Sequence, residues 1–464
     1  MTKFAFVAGA TGAAATRLIE ELVRQKWRVI GVSRSVRKSK TAGGPTYLSA
    51  DLLDVSEVRA VISPYRDITH LFFTARASHE ETGVEPVAEK VAMLRNALDA
   101  AEAASPLLEH VHLVQGTKWY GMHLGDFKTP AREDDPRHVP PNFYYDQQDF
   151  ITERQQGKQW TWSASRPYFL IDFAPDRARN VVSVVGTYAA ICRELGLPLN
   201  FPGSDTCWKS LSEATDAVQL ARAMTFLSTS QKARNEAFNV TNGDLFRWKH
   251  LWPRVARLFD MACGEVQTLS LAQWMVDKGP IWERVVKQHK LQPRRLDEVA
   301  LWPFGDFVFR QSCDVISSMT KIRTAGFHDT VDTEELYLSI LRQYREALLC
   351  RRWQANYRVR ASRHTPRRRA LRHDAGAAAL ATAQAFDELR HRRARLDPEA
   401  RKIALGDDAA MPAPQAAHRD HPALRFAVRT RGHSTIPTQQ LSNRDRANLG
   451  TDSRESTRDS TGCL

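Results

Sequence analysis

The chain has 464 residues, 42% hydrophobic and 26% charged, with 23 Gly and 22 Pro; this globular balance excludes wholesale disorder, collagen and a pure coiled coil. The net charge of +13 divides unevenly, because residues 351–464 hold 23 basic side chains, 22 of them Arg, against 12 acidic ones. The first 350 residues carry 43 basic and 41 acidic side chains, so a whole-chain charge argument for nucleic-acid binding misreads the body.

In chain order, Lys3–Ala8 reads as a buried strand and Thr11–Gln25 as a helix with Leu18, Ile19, Leu22 and Val23 on one face. Arg28–Ser33, Thr46–Ser49, His70–Phe73 and His110–Val114 read as strands, with helices over Val55–Ile62 and Val87–Ala104 between them. This alternation predicts a parallel sheet covered on both faces by helices. Thr161–Ser165 is a further strand. Asn180–Leu195, Glu213–Leu227 and Trp248–Phe259 read as helices. Trp248, Trp252 and Trp282 stand at helical spacings among apolar neighbours, which suits core packing. The expected fold is an α/β Rossmann-type doubly wound parallel sheet. Residues 1–202 are expected to form the sheet domain, and 203–349 a smaller, mixed, mainly helical cap with parts returning to the sheet. Residues 350–464 form a basic tail, read as mostly disordered because it offers little apolar surface to bury. Arg367-Arg368-Arg369 makes nucleic-acid contact through that tail a minor reading.

No run of about 18 uncharged apolar residues is present, so no membrane span is expected. Met1-Thr2-Lys3-Phe4 leads directly into the first strand, which leaves no room for a signal peptide. The cysteines (192, 207, 263, 313, 350 and 463) are scattered without a C-x-x-C pair; a cytoplasmic setting fits best and a thiolate metal site is not expected. His110, His112 and His123 lack ligand spacing and carboxylate partners, so no metal is expected.

The first strand ends in Gly9-Ala10-Thr11-Gly12-Ala13-Ala14-Ala15, where a helix opens. Gly9 allows the tight turn, and Gly12 lets backbone N–H groups of Thr11 to Ala13 approach a diphosphate at the helix N-terminus. The second strand ends in Ser33-Arg34-Ser35-Val36-Arg37-Lys38, with no carboxylate to bind a ribose 2′-hydroxyl. Arg34 and Arg37 offer guanidinium groups and Ser35 a hydroxyl to a 2′-phosphate, so the cofactor is read as NADP(H). Asp51-Leu52, after the third strand, falls where the adenine would lie.

None of the ten tyrosines is followed by Lys four residues later, so the common Tyr-x-x-x-Lys arrangement of short-chain dehydrogenases is absent. Two segments offer a replacement. Val114-Gln115-Gly116-Thr117-Lys118-Trp119-Tyr120-Gly121 ends the fifth strand, and Asn142-Phe143-Tyr144-Tyr145-Asp146-Gln147-Gln148-Asp149 opens a helix. Ligands of open α/β sheets bind beyond the carboxyl ends of the strands, which places Lys118 toward a cofactor. A lysine near a tyrosine favours the phenolate and can stabilise charge on a substrate oxygen. Tyr144 and Tyr145 point about 100° apart on a helix, and the sequence does not choose between them.

These segments resemble the progesterone 5β-reductase and iridoid synthase-like enzymes (the PRISE family), atypical short-chain dehydrogenases that reduce enones. Further matches are Trp162–Pro167, Tyr188–Cys192, Asn235–Asp244, Trp248-Lys249-His250 and Trp302–Asp306; in order, the resemblance spans about residues 3–347. It implies that Lys118 and Tyr144 are catalytic and that Arg34 contacts the 2′-phosphate. It also implies that Pro167 and Leu170 meet the carboxamide through their backbones, that Phe304 lines the substrate pocket, and that a homodimer can form. The substrate implied is a small-molecule enone. Trp119 stands where the family has His and is expected to reshape the pocket mouth; Gln148 replaces a Glu and Asp172 a Gly of the plant enzymes. A carbonyl reductase or sugar-nucleotide epimerase of the extended family, and a non-catalytic NADP(H) sensor, remain as alternatives.

Overall fold

The computed structural model describes residues 2–35, 44–76 and 86–349; Arg37 and the tail beyond 349, with the disorder expected there, lie outside the described residues. Seven parallel strands make the central sheet: β1 (Phe4–Ala8), β2 (Arg28–Ser33), β3 (Thr46–Ser49), β4 (His70–Phe73), β5 (His110–Val114), β6 (Thr161–Arg166) and, after the minor strands below, β10 (Glu236–Asn239). Their spatial order is β10-β6-β5-β4-β1-β2-β3, the doubly wound arrangement with its switch point between β1 and β4. The sequence Phe-Ala-Phe-Val-Ala of β1 is buried throughout, as a strand covered on both faces requires.

Helices α1 (Ala13–Arg24), α2 (Val55–Ile62), α3 (Val87–Ala104), α4 (Phe143–Gln155) and α5 (Val181–Glu194) follow in chain order, then the short α6 (Asp205–Lys209), α7 (Ala217–Leu227) and α8 (Trp248–Leu258). One sheet face packs Phe4, Phe6 and Val111 against Val58, Leu94 and Ile151 of α2, α3 and α4. The other packs Val7, Phe72 and Phe238 against Leu18 of α1 and Leu220 of α7. Side-chain caps mark several helix starts: Asp54 accepts from Ser56 N and Glu57 N, and Asn180 from Val182 N, contacts worth about 1 kcal/mol each.

Two short parallel pairs lie outside the sheet, β7 (Leu170–Ile171) with β9 (Thr215–Asp216) and β8 (Leu199–Phe201) with β11 (Cys263–Val266). The helix expected over Glu213–Leu227 starts only at Ala217. Asp216 caps it by accepting from Val218 N and Gln219 N, and the preceding residues stay extended in β9. A separate core joins α5, α8, the helix Trp302–Phe309 and the helix Thr333–Leu349 around Val184, Trp252 and Leu341. Trp248, Trp252 and Trp282 are all interior to it. Thus α5 shares the core of the cap segments, whereas α7 and β10 return to the sheet.

Cys192, Cys207, Cys263 and Cys313 are free thiols. No helix among the described residues is long and apolar enough to cross a membrane.

Candidate active site

The carboxyl ends of β1, β2, β4, β5 and β6 bring the predicted residues to one edge of the sheet. At β1, Gly9 takes φ +87°, and a Cβ there would stand 2.6 Å from Ala75 Cα just past β4. Only glycine meets both demands. Gly12 is the N-cap of α1 and offers no side chain to its first turn, which also has no acidic residue. The first N–H groups of a helix lack intrahelical acceptors and carry the positive end of its dipole. A Cβ on Gly12 would meet only the Gly9 carbonyl at 3.3 Å, so the loop is open to close approach. This edge therefore suits a dinucleotide diphosphate at Thr11, Gly12 and Ala13.

Arg34 and Ser35 are exposed at the end of β2. The Ser33 hydroxyl donates to the Ser35 carbonyl at 2.7 Å, and the Ser49 hydroxyl donates to the Arg34 carbonyl at 3.1 Å, so strands β2 and β3 jointly fix this corner. Beyond β3, Asp51 Oδ1 accepts from Leu53 N at 3.0 Å. The buried Leu52 gives its carbonyl to Asn96 Nδ2 at 2.9 Å.

Beyond β5 the chain enters a short 3₁₀ turn, Thr117–Tyr120, that ends at Gly121 with φ +81°. Lys118 sits in this turn, half-buried. Asn142 connects it to α4: its Nδ2 donates to the Lys118 carbonyl at 2.9 Å, and its Oδ1 accepts from Tyr144 N at 3.2 Å. The Tyr144 hydroxyl lies 3.1 Å from where a Cβ on Gly116 would stand. It therefore overhangs the start of the lysine turn. Tyr145 faces elsewhere: its hydroxyl donates to the Trp119 carbonyl at 2.5 Å and accepts from His138 N at 2.8 Å. The structure thus separates the two tyrosines by their partners.

Pro167, after β6, gives its carbonyl to Thr117 N at 3.1 Å and Thr117 Oγ1 at 3.2 Å. Leu170 pairs with Thr215 in β7. Phe304 is 9% exposed and meets Phe169 edge-on at 5.7 Å, with the Arg179 guanidinium 4.5 Å over its ring.

Trp119 departs from expectation. Its ring is buried, with the Arg166 guanidinium 3.7 Å over it and Tyr145 edge-on at 4.7 Å, so it fills the interior behind the lysine turn instead of shaping an opening. Arg166 was not predicted as a site residue, yet it organises this region. It is 1% exposed; it donates to Gln115 Oε1 at 2.9 Å, Tyr120 Oη at 3.1 Å, the Glu133 carbonyl at 3.2 Å and Gln148 Oε1 at 3.1 Å. Burial pulls Arg166 below the ordinary arginine value and pushes the Tyr120 phenol up to about 12, the latter against the pull of Arg166. The sequence marks Gln115 and Gln148 as motif positions but gives no sign that one buried arginine ties them together.

Among the described residues no group of three or more His, Cys, Asp or Glu side chains could hold a metal ion. His110 and His112 are instead joined through Ser163 Oγ, at 2.8 Å from each ring. Cavities of about 140 and 350 Å³ open near Lys3, His70, Glu109 and Arg234. They lie at the amino ends of the strands, away from Gly9 and Lys118.

The profile of the PRISE-like Rossmann-fold domain matches residues 48–350. An (S)-8-oxocitronellyl enol synthase of Nepeta racemosa is 37% identical over 342 residues, covering 70% of this chain and 85% of that protein. A 3-oxo-Δ(4,5)-steroid 5-β-reductase of Arabidopsis thaliana is 34% identical over 362 residues, covering 74% and 91%. Among solved structures, a UDP-glucose 4-epimerase of Thermus thermophilus in complex with NAD matches with a TM-score of 0.51 at 16% identity, covering 74% of this chain and 99% of that one. That last likeness concerns the fold.

Proposed function

We propose that this chain, which belongs to the PRISE-like Rossmann-fold family, is an NADPH-dependent oxidoreductase that saturates the carbon–carbon double bond of α,β-unsaturated carbonyl compounds. The name of the Arabidopsis relative describes such a substrate, a 3-oxo steroid with a conjugated Δ(4,5) double bond. The observation that carries the reading is the arrangement around Asn142. One side chain holds the Lys118 carbonyl and the Tyr144 N–H, and the Tyr144 hydroxyl overhangs Gly116 at the carboxyl end of β5.

The cofactor, when bound, supplies a hydride to the β-carbon. As that bond forms, electrons of the double bond shift to the carbonyl oxygen. Tyr144 donates a hydrogen bond to that oxygen, and the Lys118 ammonium favours the developing negative charge. Such stabilisation acts on the transition state more than on the ground state, which is what raises turnover. A solvent proton at the α-carbon then completes the saturated carbonyl product. Phe304 and Phe169 offer an apolar, aromatic wall to the substrate. Arg34 and Ser35 at the end of β2, where no carboxylate stands before position 36, support NADPH over NADH.

The test is NADPH and NADH oxidation against a panel of small cyclic and acyclic enones, with product identification. The saturated carbonyl compound and a preference for NADPH are expected. An allylic alcohol would indicate carbonyl reduction, and nucleotide binding without turnover on every member would indicate a sensor.

A further inference from the structure

We propose that Arg166 is a positioning residue for the reduction: by holding the lysine turn and α4 together from behind, it sets the geometry in which Lys118 and Tyr144 meet the substrate oxygen. The inference rests on the reading of those two side chains as the catalytic pair. Arg166 ends β6 and is 1% exposed. Its Nε donates to Gln115 Oε1 at 2.9 Å and its Nη2 to Gln148 Oε1 at 3.1 Å. Gln115 Nε2 closes the triangle by donating to the same Gln148 oxygen at 3.1 Å, and it approaches the Tyr144 carbonyl at 3.5 Å. Nη1 donates to Tyr120 Oη at 3.1 Å and to the Glu133 carbonyl at 3.2 Å.

These contacts bracket the two catalytic groups. Gln115 lies three residues before Lys118, Trp119 and Tyr120 follow it directly, and the guanidinium stands 3.7 Å over the Trp119 ring. Gln148 comes four residues after Tyr144 on α4, one turn along the same face. Asn142 ties the backbones of the two elements, and Arg166 grips their flanks. Its surroundings argue for direction more than for stability. All four hydrogen-bond acceptors are neutral oxygens; Glu133 gives its backbone carbonyl, while its carboxylate accepts from Asn239 N at 2.7 Å. A buried cation held by neutral groups gains little net stability after leaving water, and apolar residues of similar volume often pack as well. A planar guanidinium supplies donors at fixed angles in one plane, so Gln115, Gln148 and Tyr120 are held at set positions relative to one another. Tyr120 donates in turn to Asn239 Oδ1 at 2.7 Å, which anchors the fork to β10 as well.

The inference is tested on the full chain with wild type, Arg166→Lys, Gln148→Leu and Gln148→Glu. The measurements are steady-state kinetics on an enone that wild type reduces, NADPH titration and melting curves. Lysine keeps the charge but offers one ammonium in place of the fork. Misplacement of the reacting groups predicts about a 10- to 100-fold fall in kcat for Arg166→Lys, with KM and NADPH affinity retained. Gln148→Leu removes the link to α4 and should lose rate in the same way. Gln148→Glu still offers an oxygen to the guanidinium and should recover most of that loss. In the Tyr144→Phe, Lys118→Met double variant nothing is left to position, so adding Arg166→Lys should leave the residual rate almost unchanged. Wild-type kcat in Arg166→Lys, or the same fold-loss in the double-variant background as in wild type, would overturn the proposal. Should Arg166→Lys not fold, the Gln148 pair decides: wild-type kcat in Gln148→Leu, or equal losses in Gln148→Leu and Gln148→Glu, would overturn it. A wild-type chain that reduces no enone would end the assignment of Lys118 and Tyr144 itself, and this inference with it, before any variant is compared.

Discussion

Asn142 reaches back from the start of α4 to donate its side-chain N–H to the Lys118 carbonyl at 2.9 Å. Its other end accepts from Tyr144 N, so a single residue sets the spacing of the two groups assigned to the chemistry. Asn142→Ser keeps a helix-capping oxygen but loses the donor to Lys118. Turnover is expected to fall about tenfold through misplacement of the lysine turn, with the melting temperature changed by only a few degrees. Steady-state rates and a melting curve check this; wild-type turnover would show that the tie is unimportant for catalysis.

A methyl group on Gly116 would stand 3.1 Å from the Tyr144 hydroxyl and 3.4 Å from the Pro167 carbonyl. The backbone there is extended, with φ 175°, so alanine meets no conformational strain and the effect is purely one of space. Gly116→Ala should push the phenol outward and lower turnover by roughly tenfold or more. Tyr144→Phe removes the displaced oxygen, so adding Gly116→Ala to it should cost almost nothing further. Additive losses in the double variant would contradict the geometry.

The neighbouring tyrosine should behave in the opposite way. Tyr145→Phe removes hydrogen bonds to the Trp119 carbonyl and His138 N, each worth about 1 kcal/mol. A lower melting temperature with near-wild-type turnover is expected. A rate loss matching that of Tyr144→Phe would reverse the assignment of the two residues.

Acid should destabilise the sheet through three interior histidines. Burial lowers His70 to about 4 and His112 to about 3, and it holds His110 well below the usual histidine range. Their rings bond to Thr69, Thr161, Ser163 and Ser165. An unfolded chain takes up protons on these groups below about pH 6.5 while the folded chain does not. Their stabilising contribution is complete above that value and is lost as the pH falls toward 4, by up to about 1.4 kcal/mol per pH unit for each. Glu213 runs the other way, since burial pushes its carboxyl up to about 7, and burial also raises Glu133, Asp172 and Asp216; these carboxyls offset part of the loss from the histidines. Urea titrations between about pH 7.5 and about pH 5 should show the net loss; constant stability across that range would contradict it.

Much of this was legible in the sequence where local pattern decides. Strands β2 to β5 and helices α2 and α3 follow from apolar runs, turn residues and helical spacing, because a parallel sheet buries its strands on both faces. The first turn of α7 was not legible, since a capping Asp216 starts the helix later than its apolar pattern suggests. The choice between Tyr144 and Tyr145 needed partners in the 119 and 138 segments. Arg166 was invisible for the same reason: its partners Gln115, Tyr120, Glu133 and Gln148 are distant in the chain, and an isolated arginine carries no signature of what it will meet. Trp119 was expected at an opening because the replaced family residue suggested it; a ring of that size is instead packed between Arg166 and Tyr145.

The most direct measurement is the pre-steady-state rate of double-bond reduction in wild type, Tyr144→Phe and Lys118→Met, with NADPH affinity determined for all three. Shared stabilisation of an enolate oxygen predicts rate losses of roughly 10²–10³ in each variant with nucleotide affinity retained. Wild-type rates in both would contradict the mechanism.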